Sequence, residues 1–334
     1  MPNLITSAFA RGLVLAAAPL LAAFTPPSRE SPTLGAADFA DPFVLRDVRD
    51  EAAYYAFATG VGATHLQVAR SSDLASWQPL GEALPSLPSW ATQGYGLTWA
   101  PSVLARGGKY VLYFTTRDAA SGFQCISRAT AVSPEGPYRD ESTAPLVCQT
   151  SKSAPMCGSI DPSPFVDADG TPYLVWKSDE NSAACRTPTR LWSQRLRDDG
   201  MDVVGKPAAL IKADRRWEAQ LIEGPAMWHH GSAYYLFYSA NGYESARYAV
   251  GYATCAGPLG PCEKKTTNAP LLASSDAALG PGGEELFADS SGATWMAYHA
   301  WSSPNVTYAA GGARSLRIAP VSFDETGPRV GPMH

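Results

Sequence analysis

The chain has 334 residues with 29 glycines, 28 prolines and only 17% charged residues, a balance that suits an all-β protein with many turns around a large core. Its net charge of −5 without a basic cluster argues against nucleic acid as a partner and leaves neutral or mildly polar substrates. After the N-terminus nothing is apolar for long enough to span a membrane, and no long amphipathic helix stands out.

The first segment follows different rules from the rest. Arg11 precedes an apolar run from Leu13 to Phe24, the length of a signal-peptide core and too short for a membrane span. Thr25 to Thr33, with three prolines, reads as a flexible lead-in. Residues 1–33 are therefore expected to serve export and residues 34–334 to form one folded domain; the plainer alternative for the first segment is a disordered tail.

From there a short acidic or Gly/Pro motif recurs five times, roughly every sixty residues. The openings are Asp41-Pro42-Phe43-Val44, Trp99-Ala100-Pro101-Ser102, Asp161-Pro162-Ser163-Pro164, Glu223-Gly224-Pro225-Ala226 and Gly280-Pro281-Gly282-Gly283. Each leads through a turn into an aromatic-rich run: Tyr54 to Phe57, Tyr110 to Phe114, Tyr173 to Trp176, Tyr234 to Tyr238 and Trp295 to Tyr298. Such runs, bounded by Gly, Asp and Pro, read as strands. Third strands are expected at Leu66 to Arg70, Leu191 to Gln194 and Ala249 to Ala253. A unit of three or four strands cannot bury its own faces and must stack on its neighbours in a radial array. Five such units predict an all-β, five-bladed β-propeller.

Six cysteines are present. Cys255 and Cys262 bracket a turn-rich loop, and Cys125 with Cys148 and Cys157 with Cys185 are the natural remaining pairs among the fifteen connectivities that six cysteines allow. The absence of any Cys-x-x-Cys spacing speaks against zinc or a redox centre, and an oxidising, extracellular compartment is the simpler reading.

The innermost strand of each blade lines the central channel, so residues at the openings face one axial pocket. Three openings carry a carboxylate: Asp41, Asp161 and Glu223. Singly, each has a plain reading, since Asp-Pro is a common turn opener. Together, at corresponding places of a repeat, they meet the requirements of glycoside hydrolysis, in which one carboxyl must be protonated and another ionised. A third negative charge nearby keeps the acid protonated. No Gly-rich phosphate loop and no Gly-x-Ser-x-Gly elbow competes with that reading.

At this point the motifs resemble a known family. Asp-Pro in blade one, Trp-Ala-Pro in blade two, Ser-x-Asp-Pro in blade three, Glu-Gly-Pro in blade four and Tyr298-His299 in blade five, in this order from Asp38 to Gly331, are similar to glycoside hydrolase family 43. The resemblance implies an inverting mechanism with Asp41 as general base, Glu223 as general acid and Asp161 as the residue that tunes and orients Glu223, acid and base standing roughly 6.5 to 9.5 Å apart. Trp99 is expected either to pack on the sugar or to lie in the core as tryptophans commonly do, with Trp90 on the pocket rim and Arg314 either bonding sugar hydroxyls or pairing with an acid. The resemblance also implies a calcium or similar ion in the channel, held through waters by His299 and not required for the chemistry, the plainer reading of His299 being a satisfied core histidine. Many relatives carry histidine in the Gly-Pro-Gly motif where this chain has Gly283. His229 and His230 are expected at the surface.

The family divides mainly between enzymes for α-L-arabinofuranosides and for β-D-xylosides. A lone propeller, and the segment Tyr248 to Cys262, look like the arabinofuranosidase and arabinanase branch, with plant cell-wall arabinan or arabinoxylan as the substrate. The alternatives are a β-D-xylosidase and a carbohydrate-binding propeller without turnover. The latter needs aromatic platforms but no converging acids.

Overall fold

The computed structural model describes residues 37–332 apart from 48, 51, 152–155 and 303. The expected export signal and the lead-in lie outside the described residues. The remainder is a five-bladed β-propeller. Four blades are four-stranded antiparallel sheets and the second has three strands, all in simple sequence order. The innermost strands are Phe43–Arg46, Thr98–Arg106, Ser159–Val166, Ile222–His230 and Leu279–Ala288. The second strands are Tyr54–Thr59, Lys109–Arg117, Pro172–Ser178, Ala233–Ala240 and Thr294–Trp301, each containing the aromatic run read from the sequence.

Those runs are apolar at consecutive positions because both faces of each sheet are covered. Successive side chains of a strand point to opposite faces, and here the two faces meet two different neighbours. Tyr54, Ala56 and Ala58 pack with Phe287, Leu316 and Ile318 of blade five, whereas Tyr55 and Phe57 pack with Tyr110, Leu112 and Phe114 of blade two. Val111 and Tyr113 then turn the other way, toward Leu174 and Trp176 of blade three. The same alternation carries Val175 toward Leu236 and Tyr238, and Phe237 toward Met296 and Tyr298. Five apolar clusters thus fill five blade interfaces. Each fully buried large side chain contributes about 1.5–3 kcal/mol by leaving water, so the interfaces hold the ring together.

All three cysteine pairs proposed from spacing are joined: Cys125 to Cys148, Cys157 to Cys185 and Cys255 to Cys262. The last closes the hairpin between Ala249–Cys255 and Cys262–Lys264, whose register sets the two cysteines opposite each other. His229 and His230 end an inner strand rather than a turn. His230 is exposed as expected, while His229 is half-buried and stacks on Tyr234, ring centres 4.6 Å apart.

Candidate active site

Each inner strand opens through a residue in the left-handed region: Asp41 (φ +53°), Ala100 (+47°), Asp161 (+55°), Gly224 (+52°) and Gly283 (+60°). In blades two to five this residue lies at a break in the pairing with the second strand. A left-handed turn at a bulge re-aims the chain and exposes one backbone N–H. In four of five blades a side chain near the end of the preceding blade's second strand accepts that N–H. Thr59 Oγ1 accepts from Ala100 (3.0 Å), Thr115 Oγ1 from Asp161 (3.1 Å), Ser239 Oγ from Gly283 (2.8 Å) and His299 Nδ1 from Asp41 (3.1 Å). The odd member is Gly224, whose N–H is taken by Asp161 Oδ2 at 3.0 Å. There the second strand presents Lys177, which has no lone pair to offer.

This register corrects the alignment read from sequence. Asp41 and Asp161 are equivalent, but Glu223 stands one residue before the left-handed Gly224, in step with Trp99 rather than with the two aspartates. All three acids nevertheless line one cavity of about 740 Å³, together with Trp99, Lys177, Asp179, Tyr248, Glu284, Glu285 and Arg314.

Asp41 is held on the ionised side. Thr59 Oγ1 donates to its Oδ2 at 2.6 Å and Arg314 Nη1 to its Oδ1 at 3.2 Å. Burial alone would raise this carboxyl; the Arg314 guanidinium and the Thr59 hydroxyl outweigh it and keep Asp41 below the ordinary aspartate range. Arg314 is fixed in turn, its Nε donating to Tyr308 Oη at 2.9 Å and its guanidinium lying 4.5 Å over the Tyr243 ring. Of the two roles considered for Arg314, pairing with an acid is the one its geometry displays.

The other two acids have different surroundings. Burial first, and the negative charge of Glu223 second, push the Asp161 carboxyl up to about 7. Glu223 receives Lys177 Nζ on Oε2 at 3.0 Å and the Tyr248 hydroxyl on Oε1 at 2.9 Å. Lys177 is 1% exposed and also lies 3.5 Å from Asp179 Oδ1. On the cavity floor, burial pushes Glu285 up to about 8 and Glu284 well above the ordinary range. The cavity therefore combines an ionised carboxylate beside Arg314 with a cluster that retains protons near neutrality.

Trp99 is half-buried on the cavity wall, its indole N–H tied to Gly96 O at 3.0 Å. Trp90 is not on the rim: it donates to Ser142 Oγ at 2.9 Å and packs against the core between blades one and two, outside the cavity-lining set. A tryptophan in a long connection goes to the nearest apolar cluster, and local sequence does not reveal which one that is. Sequence reading missed Lys177, Tyr248 and Thr59. Lys177 carried a signal, being an ionisable residue that directly follows the apolar run Tyr173 to Trp176.

His299 lies below the cavity, fully buried, and is kept neutral because burial and then the Arg314 charge push it down to about 3. Since Nδ1 accepts from the Asp41 N–H, the proton is on Nε2, which is buried with no partner among the described residues. An N–H offers no lone pair to a cation, and waters around a cation turn their hydrogens outward rather than accept. The ring as held does not fit the calcium ion, and no step is derived through one. Gly283 belongs to the same arrangement: a Cβ there would stand 2.6 Å from His299 Nδ1, so a side chain at this position has no room.

Comparisons with known proteins agree with this architecture. The chain is 27% identical over 303 residues to the extracellular endo-alpha-(1->5)-L-arabinanase 1 of Bacillus subtilis, covering 84% of this chain and 85% of that one. It is 28% identical over 230 residues to a probable arabinan endo-1,5-alpha-L-arabinosidase A of Neosartorya fischeri, the match spanning 65% of this chain and only 64% of that relative's length. Among solved structures, a thermostable family-43 glycoside hydrolase superposes with TM-score 0.78 at 28% identity over 90% of this chain and 96% of its own. An endo-1,4-beta-xylanase of Bacteroides thetaiotaomicron gives 0.72 at 30% identity over 91% and 97%. The family profile of glycosyl hydrolases family 43 matches residues 31–328, and with that match over most of its length the chain belongs to this family.

Proposed function

We propose that the protein is an exported glycoside hydrolase that cleaves α-L-arabinofuranosyl linkages of plant cell-wall arabinan or arabinoxylan with inversion. The observation that carries this reading is the division of charge in one cavity, with Asp41 ionised beside Arg314 and Asp161, its carboxyl pushed up to about 7, lining the same cavity as Glu223. Asp41 is the base that takes a proton from the attacking water. Glu223 is the acid that gives its proton to the leaving oxygen as the C–O bond breaks, and Asp161 tunes and orients it. The proton gained by Asp41 and the one lost by Glu223 return through solvent, so the enzyme is restored. The arabinanases among the relatives support the substrate, and the three disulfides support export.

The test is turnover of 4-nitrophenyl α-L-arabinofuranoside, 4-nitrophenyl β-D-xyloside and linear arabinan, with the anomer first released followed by NMR. Arabinose is expected, appearing as the inverted anomer, and Asp41→Ala or Glu223→Ala should keep the fold and lower turnover by about 10²–10⁴. A variant retaining more than about a tenth of the parent rate would remove that residue from its role. The similarity to an endo-1,4-beta-xylanase structure at 30% identity favours a second reading, action on β-D-xylosides, and preferential xyloside turnover would select it.

A further inference from the structure

The ring of N–H anchors has one exception, and it falls beside the proposed acid. Lys177 pairs with Ile160 across its blade, much as Thr115 pairs with Trp99, Ser239 with Glu223 and His299 with Gly282. Strand alternation turns all of these side chains toward the next blade. In the other blades this place holds a side chain that accepts the next blade's N–H. In blade three it holds a cation that cannot accept, and a carboxylate oxygen of Asp161 substitutes for it at Gly224. The fold therefore has no need of an ammonium at this place, because threonine or serine performs the anchoring task in three blades.

We propose that Lys177 is a positioning residue for Glu223: its ammonium holds the carboxylate that Glu223 becomes on giving up its proton, while Asp161 takes over the anchoring of Gly224. This rests on the reading of Glu223 as the general acid. Six groups around Glu223 bear on its charge. Asp161 and Asp179 oppose ionisation, as does Glu284 whenever it is itself ionised. The Tyr248 hydroxyl donates to Oε1 without carrying charge, and Asp41 lines the same cavity without a hydrogen bond to Glu223 among the described residues. Lys177, buried at 3.0 Å from Oε2, is the cation in direct contact with it. As the proton leaves for the departing oxygen, the new negative charge forms against an ammonium already in place, so no group has to reorganise.

The experiment compares Lys177→Thr, which restores the pattern of the other blades, Lys177→Met and Lys177→Arg with the parent enzyme on whichever glycoside the parent turns over. Removing an opposite charge at this range raises a carboxyl by about one to three pH units. The alkaline limb of kcat/KM should therefore move up by at least about one unit in the Thr and Met variants and stay near the parent value in Lys177→Arg, while thermal melting changes little in Lys177→Thr. An alkaline limb that does not move, whatever happens to the rate, assigns Lys177 a merely structural role and overturns the proposal. If the variants do not fold, the parent protein decides. The ¹⁵Nζ signal of Lys177 should titrate with the alkaline limb of kcat/KM and lose that titration in Glu223→Gln; a signal indifferent to both overturns it. Failure of the general-acid reading is separate, since it appears as retained turnover in Glu223→Ala.

Discussion

Asp161 carries two demands that pull in opposite directions. Its carboxyl, ordinarily near 3.8, stands at about 7 in the folded chain, so between those values the folded protein holds a proton that the unfolded chain has released. A raised folded value means that the contribution to stability is fully present below about 3.8 and declines as pH rises toward about 7, with no further change above. Asp161→Asn should therefore melt higher than the parent at pH 8, by the equivalent of a few kcal/mol, and match it at pH 4, while losing turnover. Melting curves at the two pH values check this, and equal differences at both would contradict it. Asp41, Asp161 and Glu223 were legible in the sequence because a carboxylate at or just before a left-handed opening leaves a recognisable Asp-Pro or Glu-Gly-Pro. Lys177 and Tyr248 were not, because their importance lies in which neighbouring blade they face, and that follows only once the blades are in register.

At the scale of the strand, the anchors explain how a repeat with little sequence identity between its units keeps one geometry. Thr115→Val preserves shape but leaves the Asp161 N–H without its acceptor. A buried donor left unpaired costs about 1–3 kcal/mol, so the melting temperature should drop, and kcat should fall as well because the displaced residue is Asp161 itself. Thr98→Val is the comparison, since Thr98 Oγ1 meets the Thr116 hydroxyl in the same blade at 3.1 Å and anchors no N–H; equal losses of kcat in the two variants would refute the anchoring role. The second strands were readable to within one to three residues of their ends because β-branched and aromatic residues favour a pleated surface covered on both sides. The register of the openings was not readable. A bulge inserts a residue that no periodicity announces, which is why Glu223 and Gly280 seemed to match Asp41 when Gly224 and Gly283 do.

For the molecule as a whole, stability resides in the five interfaces. Trp176 is fully buried between blades two and three and its indole N–H reaches Gln149 Oε1 at 2.8 Å. Trp176→Ala should destabilise by about 3–5 kcal/mol, measured as the shift in denaturant midpoint. One interface differs from the rest, because it joins the last blade to the first, and among the described residues no strand from one is shared with the other. What joins blade five to blade one is an apolar cluster, the Phe39 N–H to Arg314 O bond at 2.7 Å, Asp38 Oδ1 accepting from the Arg314 N–H at 2.7 Å, and the His299 and Arg314 contacts to Asp41. The proposed base thus sits on the seam of the ring. Turnover then serves as a gauge of closure: on heating, the midpoint of activity should fall several degrees before the loss of β-sheet signal by circular dichroism, and a covalent bridge across the seam should raise the first far more than the second. A propeller closed in this way signals its opening through its catalyst, because the place where the ring parts is the place where water is activated.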